Sequence, residues 1–138
     1  MQKVWKLGLE DATAVLDAAQ ERARRLGVDM ALAVVDDGGH LVAFRRMDGA
    51  KVTSVGIAID KAFTAAGLRF PTRDLESAAL PGQGAYGLNT ALGGRMLVLG
   101  GGVPLMHEGQ CVGAVGASSG TREQDHEVAL AGAGALRA

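Results

Sequence analysis

Apolar residues recur every three or four positions through residues 9–26, and charged residues fill many of the positions between them. This spacing predicts an amphipathic helix with one buried stripe. Gly27 is placed to end that helix, because glycine adopts the left-handed conformation of a C-cap without strain. A second periodic stretch, rich in alanine, predicts a helix that begins at Thr53 or Ser54 and ends at Gly67.

Short apolar runs bounded by turn residues predict strands. The five runs span residues 31–35, 41–44, 96–99, 105–106 and 111–115. The turn sequences at 36–39 and 108–110 join the first two and the last two runs into hairpins, since glycine reaches positive φ without steric cost. Hairpin connections imply a mainly antiparallel sheet.

Two further helices are expected. A proline at its first position marks a short helix over residues 71–79, whereas the glycine-rich stretch 81–94 is expected to be irregular. Thr121 and Gln124 form a capping box, which predicts a last helix. The whole pattern predicts an α/β (α+β) fold, with a five-stranded, mainly antiparallel sheet flanked by helices in a single domain over residues 1–138.

Composition narrows the classes of partner. The 138 residues carry 14 basic and 15 acidic side chains, a formal net charge of −1. With no basic stripe to neutralise phosphates, the chain is not expected to bind nucleic acid. It has neither a signal-peptide core nor an apolar stretch long enough to span a bilayer, so a cytoplasmic location without a membrane partner is expected. The single cysteine, Cys111, excludes an intramolecular disulfide and a CxxCH haem attachment site.

Charge is distributed unevenly along the chain. Residues 77–120 carry only two charged side chains, Arg95 and Glu108. A domain of this size has to expose part of so uncharged a segment, and large apolar patches usually mark interfaces or ligand sites. The chain is therefore expected to form a homo-oligomer, a dimer or a higher assembly.

Three segments together resemble one family. They are VDDGGHLVAFRRMDGA at 35–50, IAIDKAFTA at 57–65, and a stretch from GGGVPL at 100–105 to EQD at 123–125. In this order they resemble the GlcG/HbpS-like family, which includes haem-binding, haem-degrading and PduO C-terminal-like domains. The resemblance implies a profilin-like fold, haem as the ligand of some members, and a place beside glycolate or propanediol metabolism for others.

Two loops are candidates for ligand binding. Gly101 and Gly102 would let a ligand approach the main chain closely, although a bulged turn would use the same residues. Ser118, Ser119 and Thr121 lead into the last helix, whose first N–H groups are able to bind a carboxylate or phosphate. An ordinary strand-to-helix turn is the alternative interpretation of that segment.

Three charged residues in the family-like segments complete the candidate site. Arg46 offers a planar fork to a carboxylate and Lys61 a point charge, while Asp48 is placed to orient Arg46 through an ion pair. The sequence therefore predicts one ligand pocket, formed where residues 46–48, 100–102 and 118–121 converge at the ends of predicted strands and helices.

The three histidines, His40, His107 and His126, are the candidate ligands of haem iron. Their spacing matches neither HxxxH nor HExxH, so no dedicated metal site is predicted. The chain has one Trp, one Tyr and three Phe, too few to enclose a porphyrin thoroughly. Any haem is therefore expected to bind close to the surface.

Two functions from different classes remain. The favoured one is a small-ligand-binding protein, with haem as the candidate cofactor, that works as a cytoplasmic oligomer in support of a metabolic pathway. The alternative is an enzyme that acts on a small carboxylate-bearing metabolite by acid–base catalysis, with Lys61, Asp125 and His126 as candidate catalytic residues. A pure scaffold would explain the uncharged segment 77–120 but not the grouping of Arg46, Asp48 and Lys61. Binding is favoured because the sequence shows no convincing pair of nucleophile and base.

Overall fold

The two long predicted helices form as their patterns indicate. The computed structural model describes residues 1–136. Helix α1 spans Leu9–Leu26 and ends at Gly27, whose φ of 71° is left-handed. Helix α2 spans Ser54–Leu68, one residue beyond the predicted end, because Arg69 rather than Gly67 takes the left-handed position.

The remaining helices are short or capped. The predicted helix over 71–79 divides into a 3₁₀ turn, Thr72–Asp74, and a single turn of helix α3, Leu75–Ala78. An irregular stretch follows, and it contains a kinked 3₁₀ segment at Leu88–Gly94. Helix α4 spans Arg122–Ala133 and begins at the predicted capping box. Residues 137 and 138, the end of the predicted domain, lie outside the described part of the chain.

All neighbouring strands of the sheet run antiparallel. The strands are β1 (Ala31–Asp36), β2 (Leu41–Arg46), β3 (Gly102–His107) and β4 (Gln110–Ser118). Their spatial order is β2-β1-β4-β3, so β2 and β3 form the two edges. The predicted mixed α/β fold, with helices flanking an antiparallel sheet, is confirmed.

The prediction of five strands is wrong, since residues 1–136 form four. Residues 96–99 are not part of the sheet, because side chains from elsewhere bind their backbone groups. Leu97 donates its N–H to Thr64 Oγ1 at 2.9 Å, and Leu99 O accepts from Thr72 Oγ1 at 2.6 Å. An apolar run fits a buried extended segment as well as a strand, and hydrogen-bond partners decide between them.

The sheet separates two layers of helices. Helices α1 and α4 cover one face, while α2 covers the other, as alternating strand residues require. The face towards α2 is built from small side chains, and Gly116 shows why. A Cβ at that position would lie 2.1 Å from Ala58 O, so only glycine lets α2 pack directly on the backbone of β4. This close packing carries Lys61 into the interior.

No helix within residues 1–136 has the length and apolar character required to cross a membrane.

Candidate functional site

Lys61 and Asp125 form a buried ion pair that ties α2 to α4. Lys61 Nζ lies 2.8 Å from Asp125 Oδ2, and their side chains are only 3% and 4% exposed. Lys61 Nζ also donates to Ala117 O at 3.1 Å, while Asp125 Oδ1 accepts the N–H of Gly120 at 2.9 Å. Because the protein itself supplies these bonds, the pair is placed to hold the middle of α2, the end of β4 and the start of α4 together.

The loop that leads into α4 is also bonded within the protein. Ser118 is buried at the end of β4, and Ser119 Oγ accepts the N–H of Lys51 at 2.9 Å. Thr121 and Gln124 satisfy each other through the capping box, at 3.1 and 3.0 Å. The carboxylate of Asp125 bonds to Gly120 in this loop, and an external anion at the start of α4 stays a prediction.

The glycines that precede β3 lie against protein atoms. A Cβ at Gly101 would lie 2.6 Å from Ala117 O and 2.8 Å from Lys61 Nζ, and one at Gly102 would lie 2.3 Å from Lys61 O. Gly102 donates its N–H to Thr72 Oγ1 at 2.9 Å. Packing against α2 therefore accounts for both glycines, and a ligand close to them stays a prediction.

Arg46 and Asp48 line a cavity of their own. Both are exposed, and they line a cavity of about 440 Å³ together with Arg24 and Asp29. This cavity lies between the end of β2 and the last turns of α1. This cavity includes no residue of 100–102 or 118–121, and those two segments surround the buried ion pair. That the three segments form one ligand site stays a prediction.

His126, the third catalytic candidate, lines a smaller cavity beside the buried pair. The cavity has a volume of about 250 Å³ and lies between the 72–78 segment and the start of α4. Its walls are formed by Arg73, Glu76, Arg122, Glu123 and His126. His126 is only 7% exposed, and burial, followed by the positive charge of Arg73, lowers its pKa below the ordinary 6.5. The imidazole is therefore neutral at neutral pH.

His40 is the most exposed of the three histidines. It follows the β1–β2 turn with 82% of its side chain exposed, and its Nδ1 lies 3.3 Å from Asp36 Oδ1. Burial works to raise the pKa of Asp36, but hydrogen bonds from the His40 N–H and from Lys6 outweigh it and hold that pKa below its ordinary value. An ionised carboxylate therefore faces one side of the imidazole.

His107 lies next to the turn of the β3–β4 hairpin, and the buried ion pair lies at the other end of that hairpin. Its ring stands edge-on to Trp5, with 4.7 Å between the ring centroids. Both rings line a cavity of about 510 Å³, and Leu7 and Leu136 line it as well. Trp5 is fixed there by reciprocal hydrogen bonds with Gln110.

Two residues of the His126 cavity were not found from the sequence. Arg73 and Glu76 lie on short elements with no periodic pattern, and only the tertiary fold brings them to α4. Lys61, by contrast, carries a signal that could have been used. It shares the buried stripe of α2 with Ala58, Ala62 and Ala65, and a lysine within such a stripe requires a buried partner.

The fold and its surface cavities are those of a small α/β ligand-binding domain. Residues 7–134 match the family described as haem degrading protein, HbpS-like, and the chain belongs to that family. It is 39% identical to protein GlcG of Escherichia coli K12 over 112 residues, 81% of each chain. The crystal structure of Klebsiella pneumoniae protein ORFY superposes with a TM-score of 0.96 and 36% identity, over 99% of this chain and 94% of that one. A crystal structure of a PduOC:haem complex gives 0.92 and 33%, over 96% of both chains.

Proposed function

We propose that this protein binds haem as its small ligand, with the iron held near the surface by His40. The proposal includes a cytoplasmic homo-oligomer that supports a metabolic pathway. Support comes from the family and from the PduOC relative, which was crystallised with haem and aligns with nearly the whole of this chain. At 33% identity the relative supports the ligand class, whereas the choice of iron ligand depends on this chain's own geometry.

The observation that carries the proposal is the pairing of His40 with Asp36. Histidines that bind metals usually donate their second ring N–H to a carboxylate, which fixes the tautomer and makes the ligand more basic. Nδ1 of His40 faces Asp36, which favours the tautomer that presents Nε2 to iron. The exposed position of His40 also suits a chain with few aromatic residues to enclose a porphyrin.

The other two histidines are less suited to iron. Both ring nitrogens of His126 are enclosed, and the cavity of about 250 Å³ beside them is too small for a porphyrin. His107 is half-buried against Trp5, so a porphyrin would first have to displace that ring. The cavity beside His107 remains the place to which haem would be reassigned if His40 failed the test.

A titration with ferric haem, followed by the Soret band, tests the proposal. We expect a saturable change with the parent protein, its loss in His40→Ala, and about tenfold weaker binding in Asp36→Asn, which removes the negative charge behind the imidazole. His107→Gln is the matched control and should bind as the parent does. A Soret titration unchanged by His40→Ala would refute iron ligation by His40, and one unchanged in a triple histidine variant would refute ligation by histidine altogether.

The acid–base alternative has less support from the geometry. Lys61 is bonded to Ala117 O and Asp125, and Asp125 also accepts from Gly120. A general base has to reach the proton that it removes, and these two groups are enclosed and already bonded.

A further inference from the structure

His126 is a buried polar side chain whose bonding capacity is unused. Only 7% of the residue is exposed, and neither ring nitrogen has a hydrogen-bond partner in the described residues. Buried polar groups are nearly always bonded, because leaving one unpaired forfeits its bonds to water without replacement. An imidazole left in this state within a protein calls for a partner from outside the chain.

The two acidic side chains of the cavity that His126 lines are already bonded within the protein. Arg122 Nη1 lies 3.1 Å from Glu76 Oε2, and Arg122 Nε lies 3.1 Å from Glu123 Oε1. The other oxygen of Glu76 accepts the N–H of Gly100 at 2.8 Å. Arg122 therefore offsets one of the two negative charges, and with Arg73 the lining carries two positive and two negative charges.

Arg73 supplies a positive charge that is much less engaged. Its contact with Asp74 is loose, at 4.0 Å, and both side chains are more than half exposed. An exposed ion pair of this length contributes little, so the guanidinium is available to another carboxylate at small cost. The charge of Arg73 also reaches His126, since it lowers the pKa of that imidazole.

We propose that this cavity binds the carboxylate of a small organic acid, which Arg73 holds through its guanidinium, and that the ring of His126, whose nitrogens are enclosed without the acid, turns to donate an N–H to it. The volume of about 250 Å³ suits an acid of a few carbon atoms. It falls below the ~300–1,000 Å³ typical of sites for larger ligands. This site is separate from the haem proposal, which concerns His40 and a different spectroscopic signal, so either can fail alone.

Nuclear magnetic resonance of the His126 ring tests the proposal directly. Acetate, propionate and lactate are titrated into the 138-residue chain at constant ionic strength, with chloride as the inert anion. We expect at least one acid to shift the His126 ring resonances saturably. Its binding should also raise the pKa of His126, because the bound carboxylate offsets the charge of Arg73 while Asp74 and Glu76 remain in place.

Two variants separate binding from folding. Arg73→Gln removes an exposed charge, and His126→Phe keeps a ring of similar size while removing both unpaired nitrogens, so both should fold. Because each loses a charged or charge-assisted contact, the affinity for the acid should fall about tenfold to a hundredfold. His126→Phe is followed by calorimetry, because it has no His126 signal.

Arg25→Gln is the matched control. It removes an exposed, ion-paired arginine on α1 and should bind the acid as the parent does. Saturable binding that depends on Arg73 and His126 but not on Arg25 supports the site. The proposal is overturned if none of the three acids shifts His126 saturably, or if the affinity for the acid is the same in Arg73→Gln as in the parent.

Discussion

Lys61 and Asp125 depend on each other, because a charge enclosed as deeply as either is tolerated only beside its partner. Replacing Lys61 with methionine leaves the carboxylate of Asp125 buried and unpaired. We expect Lys61→Met to lower the free energy of unfolding by about 3–5 kcal/mol, measured by urea denaturation. That is a large share of the ~5–15 kcal/mol by which domains are usually stable.

The double variant Lys61→Met/Asp125→Asn is the control for this loss. Asparagine carries no charge, yet its Oδ1 is still able to accept the N–H of Gly120. Most of the lost stability should therefore return. A single variant as stable as the parent would show that the pair is not the tie described here.

Protonation of His126 is expected to make the folded protein less stable at acidic pH. Burial, then the charge of Arg73, holds its pKa in the folded state below 6.5, the value expected of the unfolded chain. As the pH falls below that unfolded value, the unfolded state takes up a proton that the folded state resists, so stability falls. Above that pKa the imidazole is neutral in both states, so His126 does not lower the free energy of unfolding.

Urea denaturation at about pH 8 and about pH 5.5 measures the effect. His126→Phe has no imidazole to protonate and should lose less stability over this interval than the parent does. Equal losses in the two proteins would assign the acid sensitivity to other groups.

The sequence predicted which residues matter at the site better than it predicted their roles. Lys61, Asp125 and His126 were singled out together, and the structure places the first two in one ion pair. Their roles were not predictable, because burial and bonding depend on partners such as Ala117 and Gly120, which have no distinctive side chains. Arg46 also belongs to a family-like segment, yet it lines a different cavity from His126.

Elements with a chemical signal at their ends were predicted best. Helix α1 begins and ends where its stripe and Gly27 indicate, and α4 begins at its capping box. The run at 96–99 failed because its backbone partners, Thr64 and Thr72, lie about thirty residues away and bond through side chains. Local apolar pattern reports burial, whereas sheet membership depends on what the fold places alongside.

At the scale of elements, α2 packs directly on the backbone of β4 at Gly116, and this contact can be tested by substitution. A Cβ at Gly116 would lie 2.1 Å from Ala58 O, so Gly116→Ala has to push α2 away from β4. We expect a loss of at least about 1–3 kcal/mol in the free energy of unfolding, the usual cost of overpacking a core. Chemical denaturation of the purified variant measures it.

Gly56→Ala is the matched substitution. Gly56 lies in α2 at an exposed position, and nothing is within 4 Å of a Cβ built there. Alanine should therefore stabilise the helix by up to about 1 kcal/mol. If both variants lost the same stability, close packing would not be the reason for Gly116.

At the scale of the whole molecule, the uncharged segment divides into two parts. Strands β3 and β4 bury much of it, whereas the preceding stretch exposes apolar side chains. These are Leu80, Tyr86, Leu92 and Leu99, each between 46% and 68% exposed. Light scattering should therefore give a mass above the 14.1 kDa of one chain, and Tyr86→Glu/Leu92→Glu should reduce it.

Leu9→Glu is the control for that experiment. Leu9 is 64% exposed but belongs to the first turn of α1, where an acidic residue suits the helix dipole. It should leave the mass unchanged. A parent protein with the mass of one chain at micromolar concentration would contradict the proposed oligomer.

The two open edges of the sheet bear on how copies of this chain can associate. An unpaired edge strand is a template on which further chains can add strand by strand into fibres. Here β3 carries Pro104, which has no N–H to offer an incoming strand, and β2 ends in Arg45 and Arg46. Growth by continuing the sheet is thereby discouraged on both sides. Copies of this chain are expected to meet through side-chain surfaces, in a closed assembly rather than an endless one.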